Sequence, residues 1–123
     1  MRPTAYILLY VADTLASLAF YEKRLGRKAF ESFPTFASIG LGDGLTLGLW
    51  SVSSVAPDVT PPGGSEIGIV LDAPDAVDRT FADWQADGVT ILQQPTDMVF
   101  GRTFLAADPD GHRIRVFAET AAA

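Results

Sequence analysis

The hydrophobic pattern of this chain changes period in a repeating way. Residues 5–11, Ala-Tyr-Ile-Leu-Leu-Tyr-Val, form a short, continuous, aromatic-rich apolar run, which predicts a strand buried on both faces. Ala12-Asp13-Thr14 then supplies a helix start with Asp13 or Thr14 as N-cap. Leu15, Leu18, Ala19 and Leu25 follow at helical spacing, with Phe20 and Tyr21 adding bulk, until Gly26 stops the helix. Three strands are predicted at 28–33, 35–41 and 45–51, with Gly42-Asp43-Gly44 as the turn between the last two. A Ser-, Val-, Pro- and Gly-rich stretch over 52–64 interrupts the pattern. The order then begins again. An apolar strand at 67–71 leads through Asp72 to a helix over 75–87, with Val77, Phe81 and Trp84 as its apolar stripe and Gly88 at its end. Strands are predicted at 89–93, 102–107 and 112–118, and Asp108-Pro109-Asp110-Gly111 suits a type I turn before the last of them.

The two halves echo one another in residues as well as in order. Val11-Ala12-Asp13 resembles Val70-Leu71-Asp72, Phe20 resembles Phe81, and Gly26 resembles Gly88, an offset of roughly 60 residues. The pattern predicts an α+β fold made of two βαβββ modules, about 5–51 and 65–118, joined by the 52–64 linker within one domain of residues 1–123. A four-stranded sheet with a helix on one face leaves its other face to bury something. Two such modules can curl into a half-open mixed β-sheet barrel around a cavity, and cavities of that kind are default ligand sites.

Composition narrows the chemistry. The chain has one His and no Cys, so disulfides, thiol nucleophiles, zinc fingers and any two-His metal site within one chain are excluded. Nine Lys plus Arg against fifteen Asp plus Glu give a net charge of −6, the wrong balance for gripping a phosphate backbone. The densest basic group, Lys23-Arg24 with Arg27-Lys28, suits a helix C-terminus. No apolar run reaches 18 residues, and Asp13 interrupts the apolar start too soon for a signal peptide. The expectation is a soluble cytoplasmic protein with no nucleic-acid or membrane partner and an unremarkable tail at 120–123. No Gly-x-Ser-x-Gly elbow accompanies His112, which argues against triad hydrolysis.

The paired βαβββ units, Phe20-Tyr21 with Leu25-Gly26 in the first helix, and Asp108-Pro109-Asp110-Gly111-His112 before the last strand together resemble the vicinal oxygen chelate superfamily. That superfamily holds glyoxalases, extradiol dioxygenases, fosfomycin-resistance transferases and bleomycin-resistance binding proteins. Three segments, 47–51, 65–69 and 95–104, resemble its phenazine-antibiotic resistance type. The resemblance implies four metal-facing positions: Tyr6, Thr46 or Gly48, Glu66 and Arg115. Only Glu66 among them can readily ligate a divalent metal, and a guanidinium at Arg115 repels one. The expectation is therefore a protein without cofactor that sequesters a planar aromatic antibiotic, phenazine-like or bleomycin-like. An alternative is a glyoxalase-like lyase or isomerase using a divalent metal, with Glu66 as general base and Tyr6 as acid. A third reading is a structural module with an empty cavity.

Flat apolar walls and a few polar anchors are what an aromatic guest requires, and aromatics make up 11% of the chain. If Tyr6 faces the cavity, strand parity brings Leu8 and Tyr10 with it; Trp50 goes with Thr46 and Gly48. Trp50 is then the stacking candidate, and Gly48 leaves room for a flat ligand beside it. Phe33 and Phe36, on either side of Pro34, are candidates for an aromatic lip. The apolar 97–102 segment reads as a loop that something must cover, so Met98 and Phe100 are candidate lid residues or part of a homodimer interface. Glu66 and Arg115 can form an ion pair that replaces a metal or one that touches a ligand, and Arg102 or Arg115 can anchor a carboxylate.

Overall fold

The computed structural model describes residues 5–120; residues 1–4 and 121–123, and with them the end of the tail, lie outside it. The elements are β1 (Ala5–Val11), α1 (Thr14–Leu25), β2 (Ala29–Ser32), β3 (Phe36–Gly42), β4 (Leu45–Ser51), β5 (Glu66–Val70), α2 (Pro74–Ala86), β6 (Thr90–Met98), β7 (Gly101–Ala107) and β8 (Arg113–Glu119). They build two four-stranded mixed sheets, ordered β1-β4-β3-β2 and β5-β8-β7-β6. In each, the first strand lies parallel to the fourth and the others are antiparallel. The chain divides into two compact units between Pro61 and Pro62.

In the first unit, strand parity sorts the residues onto two faces. Ile7 and Leu9 of β1 stand in register with Leu47 and Leu49 of β4, which pair in turn with Ile39 and Ala37 of β3. Leu47, Leu49, Ile39, Ala37 and Val11 are wholly buried. Burying each large aliphatic side chain contributes about 1.5–3 kcal/mol, so this row anchors the unit. α1 packs across β2, β3 and β4. The Asp13 carboxylate caps it, accepting from the Ala16 amide at 3.1 Å. Gly26 ends it in the left-handed region at φ 65, its amide donating to the Glu22 carbonyl. The buried stripe differs from the apolar one in the sequence. Thr14, Ser17, Leu18 and Tyr21 are buried, at i, i+3, i+4 and i+7, while Leu15 is 52% exposed and Ala19 is exposed. One helical position is about 100° of rotation, and the seating of the large Tyr21 ring leaves Leu15 outside.

In the second unit, Ile67 and Ile69 stand in register with Ile114 and Val116, which pair with Ala106 and Phe104 of β7. α2 packs against β6, β7 and β8. Its Phe81 and Trp84 meet the buried Phe104 ring edge-on, at 5.5 and 5.4 Å between centroids. α2 begins after Ala73, which offers no side-chain cap, with Pro74 as its first residue. The two helix starts are thus Asp13 and Ala73, and Asp72 is not the counterpart of Asp13. The echo read from those aspartates is one residue out of register.

The largest departure concerns 97–102, read from the sequence as a loop. β6 runs on to Met98 and pairs with β7 as far as Met98 opposite Gly101, leaving only Val99 and Phe100 as the turn. β6 is an edge strand, where Pro95 removes no needed ladder bond, and its register shifts between Gln93 and Thr96. Polar residues and a proline at a sheet edge carry no hydrophobic signal. Before β8, the buried Asp108 organises the turn: its Oδ1 accepts from the amides of Asp110 at 2.8 Å and His112 at 2.9 Å. No helix among the described residues is long and apolar enough to cross a membrane.

Candidate functional site

The face of the first sheet away from the buried row is aromatic and uncharged along β1, β4 and β3. In register it reads Tyr6, Thr46 and Gly40; then Leu8, Gly48 and Ser38; then Tyr10, Trp50 and Phe36. The Tyr10 and Trp50 rings meet edge-on at 6.5 Å. Phe30, from a bulged position of β2, lies over Gly40: a β-carbon added there would come within 2.7 Å of its ring. Gly48 acts in the same way. A β-carbon at Gly48 would meet Leu8 at 2.7 Å and the Phe36 ring at 3.1 Å. The room over Gly48 therefore belongs to the protein's own Leu8 and Phe36, and is not left for a guest as the sequence suggested. Tyr6 and Phe30 remain 54% and 70% exposed. Phe33 is also exposed, just past β2, its amide donating to the Phe36 carbonyl across Pro34-Thr35.

The corresponding face of the second sheet is ionic at one end and aromatic at the other. Arg115 donates from Nε to Glu66 Oε1 at 2.6 Å and from Nη2 to Glu66 Oε2 at 3.0 Å. Its Nη1 donates to Gln93 Oε1 at 3.1 Å and to Thr103 Oγ1 at 3.3 Å. The register explains the geometry. Gly68 stands opposite Arg115 and presents no side chain, so the guanidinium reaches back along the strand to Glu66, which is itself opposite Arg113. The paired hydrogen bonds from Arg115 hold the Glu66 carboxyl below its ordinary 4.5; partial burial opposes this, and the charges of Arg115 and Arg113 reinforce it. Further along β8, Phe117 lies beside Gly68 and meets Phe100 edge-on at 5.6 Å.

Of the residues singled out in the sequence, Tyr6, Phe36, Gly48 and Trp50 share the first unit's open face, and Phe33 borders it. Glu66 and Arg115 form one cluster in the second unit, with Phe100 over Phe117 on the same sheet. Met98 ends β6 and accepts a hydrogen bond from Gln93 on Sδ, so it is a strand residue and not a loop lid. Arg102 is a correction. It turns to the α2 side, donating from Nε to Asp78 and from Nη1 to Asp97, both at 3.0 Å, so its charge is already engaged away from this face. Gln93, Thr103 and Phe117 were missed. Parity from Arg115 finds Phe117; the others need the register.

The family's metal chemistry does not fit these side chains. Among the described residues no three His, Cys, Asp or Glu lie together as a metal site. Both Glu66 oxygens already accept from a guanidinium that cannot lose its proton. The same bridge makes Glu66 a weak general base, because a carboxylate held below its ordinary pKa takes up a proton poorly.

A tandem of two helix-backed mixed sheets with this turn before the last strand defines a class. The chain belongs to the glyoxalase/bleomycin resistance protein/dioxygenase superfamily, which it matches over residues 4–116. It is similar to the phenazine antibiotic resistance protein EhpR of Enterobacter agglomerans, 33% identical over 112 residues, covering 89% of this chain and 86% of that protein. Among solved structures, a protein of Agrobacterium tumefaciens determined by solution NMR is 45% identical at a TM-score of 0.86, covering 98% of this chain and 100% of that one. A glyoxalase-related enzyme of Fulvimarina pelagi is 25% identical at 0.84, covering 97% and 89%.

Proposed function

We propose that this protein binds a planar aromatic small molecule of the phenazine or bleomycin kind, without a metal, and confers resistance by sequestering it. The observation that carries the reading is the uncharged aromatic face of the first sheet, where Tyr6, Tyr10, Trp50 and Phe36 line one side of three strands. Offset or edge-on contacts of a flat guest with two such rings are worth about 1–3 kcal/mol beyond simple burial. The likeness to EhpR supports the same ligand class. The donor set around Glu66, whose charge Arg115 already neutralises, supports binding without a metal. In this reading the protein acts in the cytoplasm as a homodimer, and the fully exposed Val99 at the β6–β7 tip supports a protein contact there.

The test is a titration of phenazine into the Trp84→Phe variant, where Trp50 is the only tryptophan left. Saturable quenching is expected, and Trp50→Ala in the otherwise native chain weakens the affinity read by calorimetry by up to about tenfold. Absence of saturable quenching and of binding heat across phenazine, a phenazine carboxamide and bleomycin overturns the proposal.

A further inference from the structure

The ionic cluster of the second unit has a use that the aromatic face does not explain. Arg115 has five N–H hydrogens. Four are spent on Glu66, Gln93 and Thr103, which leaves one on Nη2 without a partner. Each Glu66 oxygen accepts one hydrogen from Arg115 and keeps a lone pair, since Arg113 at 3.9 Å is beyond hydrogen-bond distance. Neither side chain is sealed off: 19% of Arg115 and 30% of Glu66 is accessible. The pair therefore presents an outward-facing donor on Arg115 Nη2 next to an outward-facing acceptor on Glu66 Oε2, the two atoms 3.0 Å apart, with charges that cancel. Thr103 and Gln93 hold the guanidinium in place, so this presentation is fixed before any ligand arrives. Two residues along β8, Phe117 and its partner Phe100 supply an apolar wall on the same face.

We propose that the Glu66–Arg115 pair reads a neutral group carrying a donor next to an acceptor, such as a carboxamide or lactam, on an aromatic ligand, and disfavours the corresponding carboxylate. This rests on the reading of the protein as an aromatic binder. A carboxamide can accept from Arg115 Nη2 and donate to Glu66. A carboxylate can do only the first, and it meets the Glu66 charge. An unneutralised arginine would have the opposite preference.

Calorimetric titration at pH 7 with phenazine, phenazine-1-carboxamide and phenazine-1-carboxylate tests it. The wild type is expected to bind the carboxamide about tenfold tighter than the carboxylate. Glu66→Gln uncovers the Arg115 charge and brings that ratio to one or below, with unsubstituted phenazine changed less than about twofold. Asp75→Asn, the same change in net charge on the exposed surface of α2, leaves the ratio as in the wild type. Gln93→Glu adds an anion beside Nη1 and raises the ratio, which keeps the test informative should Glu66→Gln fail to fold. An unchanged ratio in Glu66→Gln with its circular dichroism intact, an unchanged ratio in Gln93→Glu, or an equal shift in Asp75→Asn overturns the inference while leaving aromatic binding standing. No binding of any probe by the wild type overturns both.

Discussion

Removing either partner of the Glu66–Arg115 bridge gives a stability change whose size follows from its setting. Exposed ion pairs are worth about 0–1 kcal/mol, and breaking a fully buried one costs about 3–5 kcal/mol. Here the side chains retain 30% and 19% accessibility, and two charge-assisted bonds are made, at 2.6 and 3.0 Å. Water can rehydrate part of what is left behind, so Glu66→Gln is expected to cost about 1–2 kcal/mol at pH 7. Arg115→Met also strips hydrogen bonds from Gln93 and Thr103, adding about 1 kcal/mol. The double variant is expected to cost less than the sum, with a coupling of about 1–2 kcal/mol. Because folding lowers the Glu66 pKa, its contribution is fully present above the unfolded value of 4.5 and is lost as pH falls through the lower folded value. Urea unfolding of the four proteins at pH 7, and at steps below pH 4.5, measures both effects. A coupling under about 0.3 kcal/mol, or a Glu66→Gln deficit that stays constant into acid, refutes the account of the cluster.

Three further outcomes are expected. Gly101 holds φ 149, and a β-carbon there would lie 2.0 Å from the Ala118 carbonyl oxygen. Gly101→Ala must part the end of the β7–β8 ladder, costing about 2–4 kcal/mol of unfolding free energy in urea; a loss under about 0.5 kcal/mol contradicts this close approach. Ala73 leaves α2 without a side-chain cap, so Ala73→Asp is expected to raise stability by about 1 kcal/mol, read as a higher thermal midpoint. Asp108→Ala deprives the amides of Asp110 and His112 of their acceptor and is expected to cost about 1–3 kcal/mol; those two amides then exchange faster with solvent, and unchanged exchange argues against the turn described.

Much of the fold is legible in the sequence because its signals are local. Asp13 and Gly26 bound α1 by capping chemistry, and the apolar runs of β1 and β5 sit between turn residues. The β6 edge is not legible, since Gln93, Gln94, Pro95 and Thr96 give neither alternation nor bulk. The open faces are legible only by half. Parity assigns Tyr6, Trp50 and Arg115 to them, but what each residue touches depends on register across strands. That is why Gly48 reads as empty space when Leu8 and Phe36 fill it, and why Arg102 reads as an anchor when Asp78 and Asp97 already hold it. The Glu66–Arg115 ion pair is expected from the sequence, but the way the guanidinium reaches along the strand to Glu66 is visible only once Gly68 is known to lie opposite Arg115.

The alternation of the strands has a consequence for how such a protein diversifies. Along β1, β3 and β4 the folding energy is vested in Ile7, Leu9, Ala37, Ile39, Leu47 and Leu49, while the intervening positions lie on the opposite face, the one proposed above to meet the ligand. A library confined to positions 6, 10, 36 and 50 therefore varies the proposed recognition face while sparing the buried row. Positions 40 and 48 are the exceptions. Each glycine there is coupled to a bulky neighbour, so the inherited unit is the pair: enlarging Gly40 requires Phe30 to move or be trimmed, and enlarging Gly48 requires the same of Leu8 and Phe36.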